Sequence, residues 1–122
     1  MPEVRGGYIK ASYVASGNLS QWRLVMYSGV NVYTANASGG VTLGVTQNHP
    51  NDNEEATLVT LGHTKVTLGG SLASGARFMA NNTGFAIQAT SGQWVPGFLV
   101  TGADSGGIAE AILAPHVTGT AV

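Results

Sequence analysis

The residues with the clearest potential for metal binding lie in one polar loop, residues 48–55. His49, Asp52, Glu54 and Glu55 supply an imidazole and three carboxylates within it. Oxygen donors on a single loop suit Ca²⁺. Their order departs from the EF-hand pattern, however, and the second half of the chain lacks matching carboxylates. We therefore predict a solvated acidic loop with no metal and no cofactor, and leave open whether it contacts a cation or a partner.

A second candidate is a serine nucleophile at Ser105. The run Asp-Ser-Gly-Gly at 104–107 resembles the nucleophile loop of trypsin-like serine proteases, with Ala103 in place of the first glycine. Such an enzyme needs a histidine base and a buried aspartate to orient it. Only Asp52 precedes the run, and the chain is too short for that family's two barrels. We interpret the run as a glycine-rich turn and predict no catalytic residue.

His63 and His116 have the residue type of a general base. They are 53 residues apart and follow similar apolar runs. Two histidines that occupy the same place in two similar halves are expected to be structural, so we interpret them as end-of-strand residues. A lone or paired histidine of this kind indicates no proton-transfer site by itself.

Four aromatic residues could stack on sugar rings: Trp22, Tyr27, Tyr33 and Trp94. Indole and phenol rings combine a large apolar face with a polar edge, which suits glycan platforms as well as protein interfaces. For Trp22 and Trp94 we favour anchors in the core or in an interface.

An internal repeat organises these candidates. Residues 23–63 resemble residues 77–116, and Gly44 and Gly97 are also separated by 53 residues. An offset shared by several landmarks indicates two similar halves around one core, since two copies are too few for a solenoid. We therefore predict an arm at 1–7, a single β domain at 8–116 with the repeat at about 23–63 and 77–116, and a tail at 117–122.

Short alternating runs in the first half predict strands. Residues 8–14 place Ile9, Ala11 and Tyr13 on one face, and residues 21–27 and 30–34 form a hairpin pattern. In the next run, Val41, Leu43 and Val45 are expected to face inward, with Gly44 at a bulge or a close backbone approach. Two further strands are predicted at 57–61 and 64–68, separated by Gly62 and His63.

The second half follows the same plan, with strands predicted at 77–80, 85–89 and 94–101. Pro96 in the third of these runs indicates an edge strand or a bulge, because proline donates no ladder hydrogen bond. Residues 108–113 have a helical composition, but the repeat favours a strand. Residues 71–76 could form one helical turn. The predicted fold is all-β, a compact β-barrel or two-sheet sandwich built from two similar halves with a flexible N-terminal arm.

Charge is scarce in this chain. Charged residues make up 9% of its 122 residues, against roughly 25% in an ordinary soluble domain. Solubility normally depends on surface charge, so much of the surface is expected to meet other protein. A net charge of −1 with scattered Lys and Arg excludes a nucleic-acid footprint. The chain has no cysteine and shows neither a signal-peptide order nor a membrane-length apolar run, which predicts synthesis in a cytoplasm.

The sequence resembles the small head decoration, or capsid cement, proteins of tailed bacteriophages, over about residues 18–116. The resemblance is one of layout and composition. It is carried by Val-Thr-Leu-Gly-Val-Thr at 41–46, Glu-Ala-Thr-Leu-Val-Thr-Leu-Gly-His-Thr-Lys-Val at 55–66, Ser-Leu-Ala-Ser-Gly-Ala-Arg-Phe at 71–78, Trp-Val-Pro-Gly-Phe-Leu at 94–99 and Gly-Ile-Ala-Glu-Ala-Ile-Leu-Ala-Pro at 107–115.

The resemblance implies a β-rich virion protein without catalytic activity. It would bind the exterior of the assembled head, commonly as a homotrimer, and stabilise the shell by bridging major capsid protein subunits. Residues 3–9 could add a strand to a neighbour's sheet, so deleting residues 1–8 should weaken capsid binding without unfolding the domain. The capsid-contact candidates are Glu3, Val4, Arg5, Tyr8 and Ile9, and the subunit-interface candidates are Trp22, Arg23, Arg77 and Trp94.

Two other functions remain open from the sequence. A virion fibre or carbohydrate-binding module would expose Trp22, Tyr33 or Trp94 as a sugar platform. A small hydrolase would use Ser105, and a serine-directed probe would label it.

Overall fold

Alternating apolar side chains and frequent glycine turns produce nine strands in the computed structural model, which describes the backbone of residues 8–90 and 92–117. Within these residues there is no helix, so the all-β prediction is confirmed, and no segment has the length and apolar character of a membrane-spanning helix. The strands are β1 (Tyr8–Ala15), β2 (Leu24–Ser28), β3 (Asn31–Thr34), β4 (Gly44–Thr46), β5 (Glu55–Thr67), β6 (Arg77–Ala80), β7 (Ala86–Gln88), β8 (Trp94–Leu99) and β9 (Ile108–Val117).

The first five strands close into a barrel. Their order is β1-β3-β2-β4-β5, and β5 pairs again with β1. The closing contacts are the antiparallel β1–β5 ladder and a short parallel pairing of β1 with β3, in which Val14 lies opposite Asn31. Closure joins the two edges that an open five-stranded sheet would present to other chains.

The long strand β5 continues beyond this barrel into the rest of the sheet. Its C-terminal part pairs with β9, which is followed by β8, β6 and β7. A parallel bridge between Leu68 and Ala86 leads from β7 back to the end of β5. The second half therefore also forms a nearly closed barrel of five strands, β5, β9, β8, β6 and β7. Strand β5 belongs to the barrels of both halves.

Strand pairing recurs along the chain with a shift of 53 residues. Val14 lies opposite Glu55 in the first half, and Thr67 lies opposite Ile108 in the second. The C-terminal part of β5 thus holds in the second half the place that β1 holds in the first. Residues 8–60 are named the first module, and residues 61–113 the second module.

Gly44 and Gly97 mark the tightest approach between strands in the two modules. A Cβ atom at Gly44 would collide with the carbonyl oxygen of Val59, and one at Gly97 would collide with that of Ile112. Both neighbours are backbone, so they cannot move aside as a flexible side chain would. The predicted close approach at Gly44 is confirmed.

Apolar side chains form two buried clusters. The smaller cluster fills the first barrel, and the larger one runs from the outer side of the first module into the interior of the second. The smaller contains Ala15, Leu19, Val25, Val32, Ala56 and Leu58. The larger contains Leu24, Met26, Ala35, Val45, Val59, Val66, Leu68, Phe78, Ala80, Ala86, Leu99, Ala109, Ala111 and Leu113.

Two local predictions in the first module need correction. The two strands expected at 57–61 and 64–68 are one strand, β5, because Gly62 takes a φ of 100° without leaving the ladder. The strand expected from Val41 begins only at Gly44, and Val41 exposes 53% of its surface. Val45 is buried as predicted, with 0% exposed, but it belongs to the larger cluster and not to the one that fills the first barrel.

In the second module, the helical turn considered at 71–76 is wrong. Leu72 instead forms a bridge with Ala103, and the chain turns at Gly75, whose φ is 83°. The bulge predicted from Pro96 is confirmed, since the β8–β9 register shifts between Val95 and Gly97. The strand favoured over a helix at 108–113 is also confirmed as part of β9.

Candidate interaction surfaces

The polar loop at 48–55 uses its carboxylates to fix its own backbone. The Gly17 amide donates to Asp52 Oδ1 at 2.7 Å, and the Asn51 amide donates to Glu54 Oε1 at 2.8 Å. Asn18 Oδ1 accepts from the Asp52 amide at 3.0 Å. The loop is thereby tied to the β1–β2 connection. In the described part of the chain, no three metal-ligating side chains come together.

Ser105 lies at the repeat position of Asp52, in a turn of the same construction. The Gly107 amide donates to the Asp104 carbonyl at 2.9 Å, and the Gly106 amide donates to the Leu68 carbonyl at 2.8 Å. Ser105 is exposed. These backbone bonds account for the Asp-Ser-Gly-Gly run as a turn, the interpretation that the sequence favoured.

The two histidines lie within strands. His63 is opposite Ile112 in the β5–β9 ladder, and His116 is opposite Val95 in the β8–β9 ladder. The expected end-of-strand position is therefore wrong for His63, because β5 continues past Gly62. His63 Nε2 lies 3.5 Å from Glu110 Oε1, a contact across neighbouring strands.

Trp22 has an unusual backbone conformation for a bulky residue. Its φ is 63°, and its repeat counterpart Gly75 has a φ of 83°. The left-handed region costs an L-residue roughly 1–2 kcal/mol. The Trp22 amide donates to the Thr46 carbonyl at 2.9 Å, and the Trp22 carbonyl accepts from the Thr67 amide at 2.9 Å. Hydrogen bonds from both modules hold the strained residue in place.

Replacing Trp22 by glycine and by alanine should separate this strain from the loss of the indole. Both variants lose the same ring contacts, but only glycine adopts a positive φ without a Cβ penalty. We expect Trp22→Gly to be more stable than Trp22→Ala by about 1 kcal/mol in urea unfolding. At Trp94, in an ordinary strand, the order should reverse, with glycine about 0.5–1 kcal/mol less stable than alanine. If Trp22→Gly and Trp22→Ala are equally stable, the backbone at residue 22 is not strained.

Arg23 binds the second module through an aromatic ring. Its Cζ lies 4.1 Å from the centroid of the Phe85 ring, a cation–π distance. Burial lowers the pKa of the Arg23 guanidinium, although arginine stays charged in proteins. Lys65 Nζ lies 5.8 Å from the centroid of the Trp22 ring in a second such contact between the modules.

Backbone hydrogen bonds complete the junction between the modules. The Leu24 amide donates to the Gly84 carbonyl at 2.9 Å, and the Gly39 amide donates to the Ala80 carbonyl at 2.8 Å. The Trp94 amide donates to the Gly39 carbonyl at 3.4 Å. The turn between β6 and β7 therefore lies against the first module.

The structure brings three of the four predicted subunit-interface residues to this junction. Trp22, Arg23 and Trp94 are half-buried, whereas Arg77 is exposed. The side chains of Trp22 and Arg23 make cation–π contacts across the junction, and Trp94 reaches it through its backbone amide, while its indole Nε1 is buried without a hydrogen-bond partner. Their role between subunits stays a prediction. The same placement leaves Trp22 and Trp94 poorly suited to a sugar platform, and Tyr33 packs against the larger core cluster.

Thr46 ties β4 to the start of the junction. Its hydroxyl donates to the Ser20 carbonyl at 2.6 Å and accepts from the Arg23 amide at 3.0 Å, and the residue is fully buried. Thr46→Val keeps the shape but leaves both backbone groups unpaired, so we expect a loss of about 1–3 kcal/mol in urea unfolding. Thr67→Val, on a half-buried strand position, should change stability by less than about 0.5 kcal/mol. A Thr46→Val variant with unchanged stability would show that the Thr46 hydroxyl does not stabilise this contact.

The predicted capsid-contact residues divide into two groups. Glu3, Val4 and Arg5 lie outside the described residues. Tyr8 and Ile9 belong to β1, where their backbones lie opposite Gly62 and Leu61 of the same chain. The segment at 3–9 that was expected to add a strand to a neighbour is therefore too long at its C-terminal end, because its last two residues pair with β5 of the same chain.

Large apolar side chains are exposed in both modules. Val30 exposes 69% of its surface, Ile108 53%, Tyr27 51% and Phe98 41%. Sequence alternation did not identify them, because it shows which residues share a face without showing which face is covered. Exposed apolar area of this kind, with few charges around it, is typical of surfaces that bind other protein.

One open cleft of about 360 Å³ lies on the first barrel. Tyr13 and Val14 contribute apolar surface and Glu55 a carboxylate. Its lining is completed by Ser12, Val30 and Asn53.

Comparison with known proteins identifies the fold. No protein-family model and no curated protein matches the sequence. Among solved structures, the chain is similar to the N base of the head fiber gp8.5 of bacteriophage phi29, with a TM-score of 0.73. The alignment has 17% sequence identity and covers 88% of this chain and 95% of that chain. At this level of identity the similarity concerns the fold.

Proposed function

We propose that this protein is a structural component of a phage virion, which binds the outer surface of the capsid and stabilises it by bridging major capsid protein subunits. The observation that carries the proposal is the combination of a closed β scaffold with exposed apolar side chains and only 9% charged residues. Such a surface gains most free energy by burial against other protein.

The fold likeness supports the same proposal. A head fiber base is a virion protein by its name, and this chain shares its fold over most of both lengths. Fold alone does not determine function, but here it agrees with the surface composition and with the resemblance to decoration proteins. We extend the proposal to self-association, with the homotrimer as the expected form.

Stabilisation of the shell would come from many weak contacts acting together. A subunit that touches two capsid proteins converts the second contact into an intramolecular one, which raises the overall affinity without a new type of interaction. A homotrimer on a threefold position would multiply the effect. No catalytic group is needed, and we propose that the protein is not an enzyme.

Binding to empty heads tests the proposal. Purified protein is mixed with undecorated heads of the phage that encodes it, and bound protein is measured by co-sedimentation. We expect saturable binding and an increase in the temperature at which the heads rupture. Binding that rises without saturation, or heads whose rupture temperature is unchanged at full occupancy, would refute the proposal.

Deleting residues 1–7 should weaken head binding without unfolding the domain. We propose that this segment contacts the capsid, and the strand pairing of β1 with β5 begins only at Tyr8. The truncated protein should keep its urea midpoint within error and lose about tenfold or more in affinity for heads, as when a β-addition segment is removed. Unchanged affinity would show that the arm is dispensable.

A carbohydrate-binding function is the second candidate. The cleft beside Tyr13 and Glu55 combines an aromatic side chain with polar groups, as sugar sites do. Binding of the isolated protein to a glycan array, abolished by Tyr13→Ala, would favour this function over capsid binding.

A further inference from the structure

The guanidinium of Arg23 is half-buried and lacks an acceptor in the described part of the chain. Its Cζ atom lies 4.1 Å from the centroid of the Phe85 ring. Its Nε atom is enclosed without a hydrogen-bond partner, and no carboxylate of the described residues pairs with the group. The two terminal nitrogens are not enclosed, so they remain open to a group that approaches from solvent.

An unpaired guanidinium in such a position is unfavourable for the isolated chain. Taking a charge out of water costs free energy unless a hydrogen-bonded counter-charge replaces its hydration. The Phe85 ring offsets part of this cost, because the face of an aromatic ring attracts a cation. Burial lowers the pKa of the Arg23 guanidinium, which is the direction expected where no carboxylate is close enough to compensate.

The repeat shows that the backbone at this position does not require an arginine. With the 53-residue shift Arg23 corresponds to Ala76, and each residue directly precedes the second or sixth strand. The Arg23 carbonyl accepts from the Thr46 amide at 3.0 Å, and the Ala76 carbonyl accepts from the Leu99 amide at 2.9 Å. The same backbone arrangement is therefore built with an alanine in the second module.

A carboxylate is the group that this arrangement fits. The terminal N–H groups of a guanidinium form a planar fork that matches the two oxygens of a carboxylate. Contact with Phe85 holds the fork in place before a partner arrives, which reduces the entropy lost on binding. A nucleic-acid phosphate backbone is a poorer match, because it requires clustered cations and the net charge of this chain is −1.

We propose that Arg23, held against Phe85, binds an acidic side chain of the capsid protein. The inference rests on the proposed function and names one of its contact groups. The partner's carboxylate pairs with the terminal nitrogens and supplies the counter-charge that the chain itself lacks. An arginine that is unfavourable in the free protein thereby becomes a specific contact in the complex.

Two substitutions of Arg23 test the site. Arg23→Met keeps an unbranched side chain that can pack on Phe85 but removes the charge and the donors. We expect its affinity for undecorated heads in co-sedimentation to fall by about 30-fold or more, as when one partner of a hydrogen-bonded interfacial charge pair is truncated. Arg23→Lys keeps the charge without the fork and should lose about tenfold.

Arg77→Met is the matched control, because it removes the same charge from an arginine that is exposed. We expect it to change the affinity for heads by less than about threefold, as is typical of exposed charges. Equal losses for Arg23→Met and Arg77→Met would mean that binding responds only to net charge, and would overturn the proposal.

Urea unfolding separates partner binding from a purely structural role. Arg23→Met replaces an unpaired charge by an apolar side chain, so its urea midpoint should equal or exceed that of the wild type. A lower midpoint together with unchanged affinity for heads would show that Arg23 only joins the two modules, and would overturn the proposal.

A probe that needs no heads distinguishes this inference from the proposed function. The Nε–Hε signal of Arg23 is followed by NMR in isotopically labelled protein while sodium acetate replaces sodium chloride at constant ionic strength. We expect a shift that increases with acetate, without a comparable shift at Arg77. If Arg23 responds to acetate but the wild-type protein ignores heads, the carboxylate site is supported and the proposed function is contradicted.

Two other outcomes overturn the inference and leave the proposed function intact. In the first, Arg23→Met binds heads with the affinity of the wild type. In the second, sedimentation velocity shows that Arg23→Met loses self-association while single copies still bind heads, which places the carboxylate on a second copy of this chain.

Discussion

Gly97→Ala should destabilise the protein by about 3 kcal/mol or more, because the added methyl group has no space to occupy. It would collide with the backbone carbonyl of Ile112 on β9, the strand that joins β8 to β5. Relief would require separating β8 from β9 and would disrupt the ladder that holds the second module to the first. Urea unfolding followed by circular dichroism measures the loss.

Gly70→Ala is the matched control for Gly97→Ala. No atom lies within 4 Å of a Cβ atom at Gly70, and the position has no positive φ. We expect this variant to be as stable as the wild type or slightly more so, because alanine restricts the unfolded chain by about 0.4–1 kcal/mol. If Gly97→Ala is as stable as Gly70→Ala in urea unfolding, then β8 and β9 do not approach each other as closely as described.

Phe78→Ala is expected to cost about 3–5 kcal/mol, the range for truncating a buried aromatic residue. Phe78 is the largest fully buried side chain in the described part of the protein, with 0% exposed. It stands at the repeat position of Val25 and belongs to the cluster shared by both modules. Its removal would leave a cavity at the point where the second module meets the first.

Phe98→Ala provides the control with the same change of side chain. Phe98 exposes 41% of its surface, so its truncation should cost less than about 1.5 kcal/mol when measured at a concentration where the protein is monomeric. A loss as large as that of Phe78→Ala would mean that Phe98 is already covered within one chain. The ranking of the two variants therefore tests the core and the exposed face together.

The sequence predicted the elements that depend on local chemistry. Alternation at Ile9, Ala11 and Tyr13 identified β1, and Pro96 identified the bulge in β8. The glycine at position 44 indicated a bulge or a close backbone approach, because a glycine inside a strand often marks one of these, and the structure shows the close approach. These signals depend on neighbouring residues, so they were visible without the fold.

Features that depend on distant parts of the chain could not be predicted. Gly62 suggested a turn, yet it lies inside β5, because pairing with β1 and β9 on both sides keeps the strand continuous. Closure of the first barrel needs the parallel contact of Val14 with Asn31, and no local pattern encodes it. The sequence therefore predicted the all-β fold class but not the order in which the strands pair.

The candidate surfaces show the same limit. Composition alone predicts association with other protein, since 9% charge is a property of the whole chain. Residue type then suggested the tryptophans and Arg23 as contact residues, but the structure places them between the two modules. The more exposed apolar residues, Val30 and Phe98, carry no special motif, and only the folded structure shows that they are exposed.

Cryo-electron microscopy of phage heads with and without added protein tests the central claim most directly. The account predicts added density on the outer surface of the shell, at positions where capsid subunits meet, into which the paired β modules fit. Heads that stay bare in a large molar excess of folded protein, or density confined to the inside of the shell, would contradict it.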